Sequence, residues 1–192
     1  ENALLRRFLT AAGQIPVERE GRGAVAYAAA VEAVRRGECV VVYPEGTITR
    51  DPDMWPMTGK TGAARIGLET GAPVLPVGQW GAQQLLPPYS KRPHLVPRTK
   101  VTMSVGEPVD LEDLREKELT PEVVRDAADR ILAAITAQLE EIRGEHAPAE
   151  RYDMRVSGDP YKDRHTSDRK KSDRKKSDRK TSDRKDEDRK SA

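Results

Sequence analysis

Val40-Val41-Val42-Tyr43-Pro44-Glu45-Gly46-Thr47 decides the reading of this chain, because an apolar run passes directly into a Pro-Glu-Gly-Thr turn. Proline pre-sets φ at the turn and glycine tolerates positive φ, so the chain reverses there and offers backbone N–H groups beside a carboxylate. That chemistry suits a phosphorylated or polyhydroxylated substrate, and an ordinary tight turn is the other reading of the same residues. The run from Glu38 to Tyr43 is nearly all apolar, as expected of a strand covered on both faces.

Working outward, residues 22 to 36 are rich in Ala and Val, with Arg35 and Arg36 at the end and Gly37 beyond, which is the order of charge and cap that ends a helix. Ile15-Pro16-Val17 reads as a short strand that its proline confines to an edge or an end. Strand, helix and strand at this spacing predict a right-handed crossover unit in a mostly parallel sheet. Leu4, Leu5, Phe8, Leu9 and Ala12 predict a short amphipathic helix before it.

Downstream, residues 50 to 57 form a loop, since Pro52 and Pro56 exclude helix and strand alike. A helix is expected from Gly59 to Thr70, a buried strand from Pro73 to Trp80, and a half-buried strand from Thr99 to Val105. Between those strands lies a proline-dense loop with a basic cluster at Lys91, Arg92, His94 and Arg98. Thr120 as N-cap with Pro121 after it opens a long helix to about Arg143, with Val123, Val124, Ala127, Ala128, Ile131, Leu132, Ile135, Leu139 and Ile142 on its apolar face.

The net charge of +2 conceals two different regions. Residues 167 to 192 hold 12 Lys and Arg against 7 Asp and Glu, whereas residues 1 to 166 hold 22 against 25. The body is thus mildly acidic, and its charge excludes a nucleic-acid-binding domain. The tail repeats Ser-Asp-Arg-Lys units, as at Ser167–Lys171 and Ser172–Lys176, with nothing apolar to bury, and is expected to be disordered. The expected organisation is a body over 1–145, a linker over 146–166 and the repeat tail over 167–192. The single cysteine, Cys39, is expected to be a buried core thiol in a reducing compartment. No apolar run of about 18 residues is present, so membrane contact is expected to be peripheral.

Four ordered blocks carry a family resemblance: Gly13-Gln14-Ile15-Pro16-Val17-Glu18-Arg19, then Pro44-Glu45-Gly46-Thr47, then Lys60-Thr61-Gly62-Ala63-Ala64-Arg65, then Ala72-Pro73-Val74-Leu75-Pro76-Val77. In order and spacing they resemble the phospholipid and glycerol acyltransferase family, over roughly residues 5 to 110. The resemblance implies an α/β fold with a mixed, mostly parallel sheet flanked by helices. It also implies transfer of a fatty acyl group from acyl-CoA or an acyl-carrier protein to a lysophosphatidic acid-like acceptor, with no further cofactor and no metal, at the cytoplasmic face of the membrane.

Carried over by position, Arg19 is the first candidate for phosphate contact, since a guanidinium grips phosphate in a bidentate fork. Glu45, Gly46 and Thr47 fall where the family shapes its acceptor site, and Lys60 precedes a helix whose N-terminus favours anions. Where the family pattern has Arg after Gly-Thr, this chain has Ile48, and Arg50 is the nearest basic residue. Lys60-Thr61 is not the end of a P-loop, because Met54 stands where that pattern requires Gly, so ATP binding is rejected.

The family's base and its orienting partner form a His-x4-Asp motif. Five residues beyond His94, His146 and His165 stand Thr99, Arg151 and Lys170, so the motif does not occur here. The chain opens at Glu1, and the expectation is a truncated acyltransferase piece, inactive by itself. Two rivals stay open: an acyltransferase for a non-phosphate glycolipid acceptor, favoured by Ile48, and a non-catalytic lipid-binding pseudoenzyme.

Overall fold

The computed structural model describes residues 7, 11, 13–15, 23–88, 90 and 92–160. Most of the expected first helix, the Ile15–Val17 strand beyond Ile15, Arg19, Lys91 and the repeat tail lie outside them. The body runs through Arg151, and a separate unit begins at Tyr152.

Helix α1 spans Gly23–Arg35, α2 Gly62–Thr70, and α5 Pro121–Arg143, each within a few residues of its predicted span. Their ends follow the chemistry anticipated for them. Thr120 accepts a hydrogen bond from Val123 N–H, and Pro121 occupies the first turn, where its missing N–H costs nothing. Gly144 adopts φ 65° and its N–H donates to the Glu140 carbonyl, and Gly71 closes α2 in the same left-handed way.

Strands β1 (Val77–Trp80) and β2 (Thr102–Val105) pair antiparallel, Val77 opposite Val105 and Trp80 opposite Thr102. Among the described residues the sheet consists of these two antiparallel strands, with no parallel pair of the expected mostly parallel sheet. The expected strand over 38–43 also fails to form a ladder. Its backbone has no described strand alongside, and Val41 and Tyr43 are 79% and 76% exposed, so hydrophobicity alone did not make it an interior strand. The strand expected from Pro73 begins only at Val77, because Pro73 and Pro76 have no N–H to give a ladder. The carbonyls of Val74 and Pro76 nevertheless accept from Val109 and Gly106 N–H, extending the contact beyond β2.

Three short helices were not anticipated: α3 (Ala82–Leu85), α4 (Glu112–Arg115) and, in the second unit, α6 (Met154–Ser157). The last is capped by Asp153, whose carboxylate accepts from Arg155 N–H, and Tyr152 donates to the Gly158 carbonyl.

Helix α5 organises the body. Val124, Ala127, Ala128 and Ile131 pack with Ala64 and Leu68 of α2 and with Leu111 and Leu114 around α4. Burying each of the larger side chains is worth roughly 2 kcal/mol. Arg130 fixes α4 to α5 by gripping both carboxylate oxygens of Asp113 at 2.5 and 3.0 Å while also bonding Asp126. The guanidinium in turn holds the Asp113 carboxyl below its ordinary value. On its other side α5 lies against the sheet so closely that a Cβ at Gly78 would stand 2.8 Å from Gln138 Cβ. Gln138 itself accepts a hydrogen bond from the Ser104 hydroxyl at 2.6 Å. Beyond the end of α5, Arg151 reaches back to Asp129 at 3.1 Å.

Cys39 is exposed, which corrects the expectation of a buried thiol. It precedes the unpaired 40–43 run, so no sheet covers it.

Candidate functional site

The turn is built as its residue types require. Gly46 N–H donates to the Tyr43 carbonyl at 3.0 Å, closing a four-residue reversal with Pro44 and Glu45 at its centre, and Gly46 adopts φ 65°. The next carbonyl of the turn, Pro44, accepts from Lys60 N–H at 2.8 Å. That bond fastens the approach to α2 against the turn, and the Lys60 side chain folds across it. A Cβ built at Gly46 would meet Lys60 Nζ at 3.2 Å and Cε at 3.3 Å, so the ammonium lies directly over the glycine backbone. Behind the turn, a Cβ at Gly59 would stand 3.0 Å from Leu132 Cδ1 and 3.4 Å from the Pro44 carbonyl oxygen, which seats this corner on α5.

Glu45 points the other way, toward the 49–57 loop. Its carboxylate receives Met57 N–H at 3.4 Å. Loss of hydration pushes its pKa up to about 7, the nearby Asp51 charge adds to this, and bonds from Met57 and Thr49 partly offset it. Glu45 therefore changes protonation near neutrality instead of standing as a permanent anion beside Lys60.

The loop is held by its own polar side chains. Thr49 donates to the Trp55 carbonyl at 2.7 Å, and Asp51 accepts from both Asp53 and Trp55 N–H. These local bonds turn Trp55, Pro56 and Met57 inward, where all three are buried. Arg143, at the end of α5, then stacks between two rings, 3.7 Å from the Trp55 centroid and 4.2 Å from that of Trp80. Its Nη1 donates to the Asp53 carbonyl at 3.0 Å and its Nη2 pairs with Glu145. One cation thereby ties the loop beside the turn to the first strand of the sheet.

Of the residues marked in the sequence, the fold brings together Glu45, Gly46, Thr47 and Lys60. Thr47 and Lys60 are exposed and open to a ligand, as is Gly46. Arg50 is only 8% exposed and faces the body, so it does not present its charge at the surface beside Ile48. Arg19 lies outside the described residues. Sequence reasoning missed Thr49, Asp51 and Arg143 as the supports of the site. Asp51-Pro52-Asp53 carried a signal, since an Asp commonly captures the N–H two residues on, whereas the double stacking of Arg143 joins residues too far apart to be read locally. Among the described residues, no group of three or more His, Cys, Asp or Glu converges as a metal site.

Residues 1–80 match the family model described as Acyltransferase, and these include the whole Glu45–Lys60 corner. Over these residues the chain is similar to the acyltransferase family. A similar protein is the chloroplastic 1-acyl-sn-glycerol-3-phosphate acyltransferase BAT2 of Brassica napus, 36% identical over 61 residues, which are 32% of this chain and 17% of the plant protein. The crystal structure of the 1-acyl-sn-glycerophosphate (LPA) acyltransferase PlsC from Thermotoga maritima aligns at 27% identity with a TM-score of 0.44, over 64% of this chain and 46% of the bacterial one. The chain thus spans less than half the length of either. No helix among its described residues is long and apolar enough to cross a membrane.

Proposed function

We propose that this chain carries the acceptor-binding corner of a glycerolipid acyltransferase, in which the Pro44–Thr47 turn and Lys60 hold the phosphate of a lysophosphatidic acid-like acceptor. The observation that supports this most is the Lys60 ammonium lying across Gly46. It sets a cation and the turn's backbone within reach of one anion, and no side chain beyond Cα at position 46 blocks the approach. Arg19 would add a second, bidentate cation, and the acyl group would come from the thioester of acyl-CoA or an acyl-carrier protein. The reaction also needs a base for the acceptor hydroxyl, and the 192 residues contain no His-x4-Asp pair to supply one. The part proposed here is therefore recognition, at a peripheral membrane surface, within a larger, mostly parallel sheet in which residues 38–43 would gain strand neighbours.

A calorimetric titration of the chain with glycerol 3-phosphate, and with glycerol as its phosphate-free counterpart, tests the reading. Saturable binding of the phosphate ester alone supports it, and equal responses reject it. Ile48 favours a second reading. Its side chain is 49% exposed beside the turn and is apolar where the family pattern carries Arg, as a glycolipid acceptor without phosphate would allow.

A further inference from the structure

No Asp or Glu stands between Glu69 and Glu107, in a chain that carries 32 acidic residues. This acid-free stretch contains β1, β2 and the whole connection between them, almost all of it beyond the residues that match the family model. The connection is folded back on itself. His94 N–H donates to the Leu85 carbonyl at 2.7 Å, and the Ser90 hydroxyl both accepts from Arg92 N–H and donates to the Arg92 carbonyl. The folded loop turns apolar side chains outward: Leu95 is 68% exposed and Val96 90%, with Leu86 also exposed. Arg92, Arg98 and Lys100 belong to the same segment and are exposed. Water is a poor environment for such leucine and valine side chains, and a protein partner would be expected to balance the cations with acidic residues of its own.

We propose that the Leu86–Lys100 loop is a membrane-docking element that inserts Leu86, Leu95 and Val96 at the acyl boundary of an anionic bilayer while Arg92, Arg98 and Lys100 meet lipid phosphates. Exposed aliphatic side chains ringed by cations, with no acidic residue to repel the surface, match both components of interfacial binding. The inference deepens the proposed membrane-surface role by naming the element that makes contact. It stands apart from the acceptor corner, which lies on different residues.

Co-sedimentation of the full chain with vesicles of phosphatidylcholine and phosphatidylglycerol, compared with phosphatidylcholine alone, tests it. The parent chain is expected to bind the anionic vesicles and to bind the neutral ones weakly. Leu95→Asp with Val96→Asp is expected to lower the partition coefficient more than tenfold, and Arg92→Ala with Arg98→Ala by about 25-fold, since each cation near such a surface contributes roughly a factor of five. All four positions lie in the loop outside helix and strand, so far-UV circular dichroism should be unchanged. A second readout uses an environment-sensitive fluorophore on Val96→Cys in a Cys39→Ser background, whose emission is expected to shift to the blue with anionic vesicles. Unaltered partitioning of both double variants, which would assign binding to the charged tail or another face, overturns the proposal, as does an unshifted probe. Glycerol 3-phosphate titration of the Leu95→Asp, Val96→Asp double variant is expected to match the parent, so failure of the acceptor reading and failure of the docking reading are separable.

Discussion

Lys60 folds over Gly46 so closely that a methyl group at that glycine would press on the lysine side chain, with Nζ 3.2 Å away. Gly46 also holds φ 65°, where an L side chain is strained. Gly46→Ala should therefore cost about 1 kcal/mol in folding stability and displace the ammonium from the turn. Urea unfolding and glycerol 3-phosphate titration of the variant check the two parts, and the loss of affinity is expected to exceed the loss of stability in proportion.

Glu45 gives a pH signature whose sign follows from its raised pKa. The folded protein keeps a proton there until about pH 7, whereas the unfolded chain releases it near the ordinary 4.5. The stabilising contribution of that proton is complete below about 4.5, falls as the pH rises toward 7, and is absent above it. Glu45→Gln keeps the acceptor for Met57 N–H without the charge. The variant should match the parent in acid and exceed it by on the order of 3 kcal/mol at about pH 8, since each tenfold difference in proton affinity between the folded and unfolded chains corresponds to about 1.4 kcal/mol. Urea unfolding of both proteins across the range from acid to mildly alkaline pH measures the difference, and parallel curves would remove the buried-carboxyl account.

Arg143 is the joint between the loop and the sheet. Its guanidinium lies within 4.2 Å of both tryptophan ring centres and is nearly buried, a setting in which cation–π attraction reaches about 2 kcal/mol. Arg143→Ala should cost about 2–3 kcal/mol and change the tryptophan emission, both the chain's tryptophans being its partners. Arg143→Lys should restore only part, because a point ammonium cannot stack flat between two rings.

Gly78 admits α5 to the sheet. A Cβ there would meet Gln138 Cβ at 2.8 Å and the Gln138 carbonyl carbon at 3.0 Å. Helix backbone cannot swing aside as a side chain can, so Gly78→Ala is expected to cost about 2 kcal/mol or more. Thermal unfolding of the variant is the check, with Gly144→Ala as a comparison in which conformation alone is strained and no atom is met.

These positions show what a single sequence discloses. Helix α5 was legible end to end, because its cap at Thr120, its stop at Gly144 and its apolar stripe are all local signals that agree. The Pro44–Thr47 turn was legible for the same reason. The sheet was not. Val40–Tyr43 has the composition of an interior strand, yet a strand is defined by what pairs with it, and composition does not carry that information. The inward turn of Arg50 was likewise invisible, since it depends on Thr49 and Asp51 drawing the loop around Trp55.

The central claim is that Lys60 and the Gly46 turn recognise the acceptor's phosphate. Its most direct test is the binding of a short-chain lysophosphatidic acid, below its aggregation limit, against the matching monoacylglycerol, by the parent chain and by Lys60→Ala. The account predicts that the parent prefers the phosphorylated lipid by at least tenfold and that Lys60→Ala loses most of that preference while its affinity for the monoacylglycerol is unchanged. Equal affinities in the parent, or a preference that survives the loss of Lys60, would contradict it.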